Sequence, residues 1–137
     1  MKEEYVTYDQ AVALKRLGFI EETTHYYVNF KSDSEIKLWS CNPPYNHNAR
    51  LSINEVCSAP RLDQAQSWLR EVKGTIVYPE PGFYRGKRPL MGYGYHIYDK
   101  DNGSYCHVES DTIYDSYELA LSAGISAAIV LLEKEVK

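Results

Sequence analysis

Three short segments of the chain begin in the same way: TYDQA at residues 7–11, RLDQA at 61–65 and SYELA at 116–120. Thr7 and Ser116 carry hydroxyl groups that can accept a hydrogen bond from an unpaired backbone N–H group in the first turn of a helix. The acidic residue two positions further on lies near the positive end of the helix dipole. Each segment is therefore predicted to begin an α-helix.

The residues downstream of each start give the extents of the three helices. Helices are predicted over 8–17 and 62–73, ended by Gly18 and Gly74, and over 117–135. Thr7 and Gln10 form a capping box. Apolar spacings of three and four predict these core-facing stripes: Tyr8, Ala11, Leu14 and Leu17; Leu62, Ala65, Trp68, Leu69 and Val72; and Tyr117, Ala120, Leu121, Gly124, Ile125, Ala128, Leu131 and Leu132.

Aromatic and β-branched runs between the helices predict six strands, over 25–30, 36–40, 51–57, 75–78, 93–98 and 105–109. Residues 31–35 and 99–104 are predicted to be hairpin turns, and Asn102-Gly103 supplies the positive φ angles that a tight turn needs. Proline and glycine predict loops over 42–48 and 79–90.

The element order α-β-β-β-α-β-β-β-α predicts an α+β fold, with a mainly antiparallel sheet of about five to six strands and three helices. A chain of 137 residues suits one core, so a single domain over 1–137 is predicted. The doubled α-β-β-β pattern leaves two explanations open. It reflects either an internal repeat or independent helix starts that share the same capping chemistry.

Composition excludes several classes of protein. The net charge of −4 gives no general attraction to nucleic acid or to an anionic membrane. The longest apolar stretch, 119–132, is shorter than the roughly 20 residues that a membrane span needs. The N-terminal residues lack the pattern of a signal peptide, and the three cysteines form no C-x-x-C pair. A cytoplasmic location with reduced cysteines is expected.

No cluster of residues predicts an enzyme, a metal site or a cofactor. Cys106 and His107 are neighbours on a predicted strand, so their side chains point to opposite faces. A proline loop could bring Cys41 and His47 together, but no third group at a recognisable spacing orients the histidine. The four histidines lack the ligand spacing of a zinc site, and His96 facing His107 across the hairpin would supply only two ligands.

Two surfaces are candidates for binding. The 13 tyrosines suit a contact surface, so Tyr93, Tyr95 and Tyr105 are predicted to meet an unidentified protein partner. The last helix, with its small residues, is a possible homodimer contact. Alternatively Arg85, Lys87 and Arg88, beside Tyr84, predict weak binding of nucleic acid through the basic loop 85–88. Three charges are a weak electrostatic footprint, so nucleic acid is the less favoured partner.

Three segments resemble small uncharacterised proteins encoded in phage and mobile-element regions of gut bacteria. The segments are 5–19, 59–70 and 114–125, with the patterns T-Y-x-Q-A-x-x-L-K-x-L-G-F, A-P-x-L-x-Q-A-x-x-W-L-R and Y-x-S-Y-E-x-A-L-x-A-G-I. Arg61 departs from the small hydroxyl residue expected after Pro60. The resemblance implies no known activity. The tyrosine content and the lack of a catalytic grouping in the sequence predict a non-enzymatic protein-interaction module.

Overall fold

The computed structural model describes residues 4–30, 35–49, 55–84, 87–99, 106–110 and 112–135. Contacts divide the chain into two compact units, Met1–Arg61 (unit 1) and Leu62–Lys137 (unit 2). Within the described residues, three α-helices and six strands follow the predicted order, which confirms the α+β fold. The strands form two antiparallel sheets of three strands each. The single domain over 1–137 stays a prediction.

Unit 1 contains one helix, a short 3-10 helix and one sheet. Its elements are α1 (Tyr8–Arg16), β1 (Thr23–Phe30), β2 (Glu35–Tyr45), the 3-10 helix His47–Ala49 and β3 (Glu55–Ser58). Thr7 and Gln10 form both hydrogen bonds of the predicted capping box. Gly18, with φ of 99°, ends the helix as predicted. The strand order is β2-β1-β3, so β2 lies at an edge of the sheet.

Unit 2 contains two helices and one sheet. Its elements are α2 (Leu62–Lys73), β4 (Thr75–Tyr84), β5 (Lys87–Asp99), β6 (Cys106–Glu109) and α3 (Tyr117–Glu135). The strand order is β4-β5-β6. Ser116 caps α3 by accepting a hydrogen bond from the Leu119 N–H group at 3.1 Å. α3 packs against β4 and β5, with Gly124 directly over Val77 and Tyr95.

The predicted loop over 79–90 is wrong, because β4 and β5 continue through most of it. Pro79 and Pro81 are opposite Tyr95 and Tyr93 of β5. Two prolines two residues apart direct their missing N–H groups to the same side of a strand. Since β4 is an edge strand, that side has no ladder hydrogen bond to lose.

The predicted loop over 42–48 is also partly wrong. β2 extends to Tyr45 through a cis Asn42-Pro43 bond, and a 3-10 helix begins at His47. The prolines are tolerated because they lie on an edge strand at an irregularity in the pairing. Of the predicted turns over 31–35 and 99–104, Glu35 and Asp99 lie in β2 and β5. Residues 31–34 and 100–104, and residues 51–54 of the third predicted strand, lie outside the described residues.

The predicted core stripes of the helices are confirmed except at two positions. Tyr117 is 42% exposed because it begins α3, and its ring touches Tyr93 edge to face. Val72 is 58% exposed although it shares a face with buried Ala65 and Leu69. Its exposure therefore reflects its place in the last turn of α2 and not a rotation of the helix.

The two sheets differ in topology. The first strand of the triplet is central in unit 1, whereas the second strand is central in unit 2. An internal repeat would place the same strand at the centre of both sheets. The different strand orders favour independent helix starts with common capping chemistry.

Candidate functional site

β2 is an edge strand whose side chains remain open to solvent along its length. All of its residues are exposed except Cys41, which is half-buried. Three large apolar side chains stand on its regular part: Ile36, Leu38 and Trp39 are 45%, 41% and 44% exposed. Tyr45 at its end is 46% exposed. These four side chains are called the β2 surface below.

Alternation divides the β2 surface between two faces. Leu38 is opposite Tyr27, and Trp39 is opposite Tyr26, with the rings of Trp39 and Tyr26 edge to face at 6.2 Å. Successive strand residues point to opposite faces, so Leu38 and Trp39 present apolar groups on both sides of the same edge. A long edge strand with apolar side chains is a ready template for pairing with another strand.

The irregularity in β2 forms a second feature beside this surface. Ser40 is opposite His25 and Tyr45 is opposite Thr23, so a step of two residues on β1 faces a step of five on β2. The extra residues bulge out and bring Cys41 to the ring of His47. The Cys41 Sγ atom lies 3.2 Å from the His47 Nε2 atom.

His47 is held firmly in this position. Its side chain is 1% exposed, and its ring stacks on Tyr26 with the centroids 4.1 Å apart. The His47 backbone N–H group donates to Ser58 Oγ at 3.1 Å. Asn48 clamps the same turn, since its Oδ1 atom accepts from the Ser58 N–H group at 2.9 Å and its Nδ2 atom donates to the Phe19 carbonyl at 2.8 Å. The imidazole is therefore fixed before any ligand arrives.

Two of the three predicted interaction tyrosines, Tyr93 and Tyr95, make contacts within unit 2. Tyr93 touches Tyr117, and Tyr95 stacks on Tyr114 at 6.3 Å. A Cβ atom on Gly124 would lie 3.2 Å from the Tyr95 Cβ, which places Tyr95 under α3. Both tyrosines are half-buried, and Tyr105 lies outside the described residues. Their predicted role in binding a partner stays a prediction.

The predicted basic loop over 85–88 falls where β4 ends and β5 begins. Tyr84 closes β4 opposite Lys87, which begins β5 together with Arg88. Arg85 lies outside the described residues, and for the other three only the backbone is described. Nucleic-acid binding by these residues stays a prediction.

The predicted histidine pair of the second hairpin does not form. His96 is opposite Glu109 on β6 and Tyr78 on β4, so the register of the hairpin does not place His107 across from it. The His96 ring instead contacts the Glu80 carboxylate, on the face of the sheet turned away from α3. Among the described residues, no three histidine, cysteine or acidic side chains converge as metal ligands.

The expected homodimer contact on the last helix is partly occupied within unit 2. Gly124 and Ala128 are buried, so these small residues serve packing of α3 on its own sheet. Leu119 and Val130 stand on the opposite side of the helix and are 54% and 52% exposed. Dimerisation through α3 stays a prediction.

The sequence allows a proline loop to bring Cys41 close to His47, and the structure confirms this approach. The β2 surface was missed by sequence reasoning. The β2 surface carried a visible signal: Ile36, Leu38 and Trp39 break simple alternation, since apolar residues fall on both faces. A strand covered on one side only would show alternation.

Comparison with models of protein families, with curated proteins and with solved structures finds no match for the chain. In the part of the chain that is described, no helix has both the length and the apolar composition needed to cross a membrane.

Proposed function

We propose that the chain is a non-enzymatic protein-interaction module that binds an extended segment of another protein along β2. The observation that carries the proposal is the exposure of an 11-residue edge strand with apolar side chains on both faces. An incoming strand pairs with the outward-facing backbone groups of an edge, and pockets or patches beside the edge select its side chains. Leu38 and Trp39 provide such patches.

The aromatic content of the β2 surface supports a protein partner in particular. Trp39 and Tyr45 are the residue types enriched at the centres of protein interfaces. β2 carries both Glu35 and Lys37, so it offers no field of one sign for a polyanion. The partner expected is therefore a β-strand-forming peptide segment with apolar side chains.

An origin in phage or mobile-element DNA and a cytoplasmic location belong to the same proposal. The origin rests on the motifs at 5–19, 59–70 and 114–125, and the location on the cysteine spacing, which is not of the disulfide type. The β2 surface is the part to test, because it is the described surface that carries exposed apolar side chains on an unpaired strand edge.

The test places a photo-activatable cross-linker at position 38 and, as a matched control, at position 20. Ile20 is 71% exposed in unit 1 but lies outside β2. The chain is cross-linked in a bacterial host extract, the product is identified, and its binding to the purified chain is measured. We expect a discrete product from position 38 alone, and slower hydrogen exchange of the β2 amides in the reconstituted complex.

Two substitutions then distinguish specific binding at β2 from nonspecific binding to any exposed apolar residue. Leu38→Glu should weaken binding of the identified partner by about 10-fold or more, since it places a charge in an apolar contact, whereas Ile20→Glu should leave binding unchanged. Equal cross-linking from positions 20 and 38 contradicts the proposal. A product with twice the mass of the chain would show that a second copy occupies β2, and would contradict a separate partner.

A further inference from the structure

We propose that Cys41 and His47 form a reactive thiol–imidazole pair that takes up a small disulfide as a mixed disulfide on Cys41. The inference goes beyond partner binding and does not depend on it. It rests on three observations: the 3.2 Å approach of Sγ to Nε2, the fixed position of the His47 ring stacked on Tyr26, and the partial exposure of the thiol.

The thiol proton has three acceptors within reach. The Sγ atom lies 3.2 Å from His47 Nε2, 3.4 Å from the Pro43 carbonyl oxygen and 3.7 Å from the Thr23 carbonyl oxygen. Only the imidazole nitrogen is a base, and it is also the nearest of the three. Transfer of the proton to Nε2 leaves a thiolate paired with an imidazolium, which is the form in which cysteine attacks electrophiles.

The two carbonyl groups decide which electrophile fits. Attack on an ester or amide would develop a negative oxygen close to the sulfur, and that oxygen needs N–H donors for stabilisation. The Pro43 and Thr23 carbonyl oxygens that lie near the sulfur are acceptors and supply no such donor. Thiol–disulfide exchange develops negative charge on sulfur atoms in a line and creates no oxyanion. A small disulfide is therefore the electrophile that the surroundings accept.

The exchange proceeds in one balanced step. The Cys41 thiolate attacks one sulfur of the disulfide, a new sulfur–sulfur bond forms, and the original bond breaks with its electron pair on the departing sulfur. The departing thiolate takes the proton that His47 Nε2 received from Cys41. One Cys41 thiol and one disulfide become one mixed disulfide and one free thiol.

The mixed disulfide has no internal thiol to resolve it in unit 1. The only other cysteine of that unit is Cys57, which is 3% exposed in β3. Cys57 lies opposite Tyr27, while Cys41 lies with His47 on the side of Tyr26. No second thiol of unit 1 is therefore placed to displace the modification from Cys41.

The test measures the rate of reaction with dithiodipyridine at pH 7 in a Cys57→Ser, Cys106→Ser chain, in which Cys41 is the only thiol. The released thiopyridone reports the rate, and mass spectrometry locates the modification. We expect Cys41 to react about 10-fold faster than a free cysteine derivative under the same conditions, because an unassisted thiol is only a few per cent thiolate at this pH. His47→Gln should remove that advantage.

Two controls keep the outcome decisive. Cys41→Ser in the same background should show no reaction, and circular dichroism should show that His47→Gln retains the fold. If that variant unfolds, the comparison of Cys41 with the free cysteine derivative still decides. A rate for Cys41 equal to or below that of the free derivative overturns the proposal, and so does an equal rate in a folded His47→Gln chain. Leu38→Glu, which tests partner binding, should leave this rate unchanged.

Discussion

Replacing Gly124 with alanine tests the packing of α3 on the sheet of unit 2. In an exposed helix interior the change stabilises by about 1 kcal/mol, because alanine has the higher helix propensity. Here a Cβ atom would lie 2.6 Å from the Val77 Cγ1 atom, about 0.8 Å inside the 3.4 Å at which ordinary contact begins. It would also lie 3.2 Å from two atoms of Tyr95. The helix must therefore move away from the strands.

The expected magnitude follows from these opposing effects. Overpacking a core usually costs about 1–3 kcal/mol. Val77 is 1% exposed and Gly124 is buried, so neither side can yield into solvent. The overpacking cost therefore falls in the upper part of that range, about 2–3 kcal/mol. After subtraction of the propensity gain of about 1 kcal/mol, we expect Gly124→Ala to lower the free energy of unfolding of unit 2 by about 1–2 kcal/mol.

The assay is urea unfolding followed by tryptophan fluorescence in a Trp39→Phe background. The chain has two tryptophans, so Trp68 then reports alone, and it is 2% exposed in α2 of the same unit. Val130→Ala on the outer side of α3 is the matched control and should be neutral or slightly stabilising. In a Val77→Ala background, which removes the offending methyl groups, Gly124→Ala should cost at least about 1 kcal/mol less.

A stabilisation by Gly124→Ala of about 1 kcal/mol would refute the reasoning. It would mean that the helix position behaves as exposed and that α3 does not rest on β4. An equal cost of Gly124→Ala with and without the Val77→Ala change would likewise show that the methyl groups of Val77 are not the obstacle.

Three further changes have definite expected outcomes. Gly92→Ala should cost about 3 kcal/mol or more by thermal unfolding, since φ is 145° and a Cβ atom would lie 2.3 Å from the Tyr114 carbonyl oxygen; a cost below about 1 kcal/mol would contradict that contact. Thr7→Ala should cost about 1 kcal/mol through loss of the capping box, and Thr7→Ser much less, by the same measurement. Burial, with a smaller contribution from Cys57, raises the pKa of Tyr27, so its stabilising contribution is complete below the unfolded value of about 10 and is lost as the pH rises above it. The free energy of unfolding between about pH 8 and 11 should therefore fall less steeply in Tyr27→Phe, and identical slopes would contradict the raised pKa.

Local chemistry made the helices predictable. The hydroxyl caps at Thr7 and Ser116 and the terminators Gly18 and Gly74 act within one turn of the chain, so the bounds of α2 and α3 follow from the sequence alone. The core faces also follow, because the 3.6-residue period fixes them, except at Tyr117 and Val72, which lie in the end turns of their helices.

Long-range context made the strands less predictable. Pro79 and Pro81 indicate a loop unless β4 is known to be an edge strand, and strand order is not a local property. The same holds for Cys41 and His47. Their approach needs both the pairing of Tyr45 with Thr23 and the hydrogen bond of the His47 backbone to Ser58. The sequence supplied the residue types of the candidate site, and only the tertiary register supplied its geometry.

Pro79 and Pro81 also make the edge strands β4 and β2 differ in how readily they pair with a strand of another chain. A neighbouring chain that aligned itself along the outer side of β4 would meet two missing donors in three consecutive residues, and would be rejected there. β2 contains no proline between Glu35 and Ser40, so its outer backbone N–H groups are present there. Of these two edges, only β2 is therefore left open to pairing with a strand of another chain.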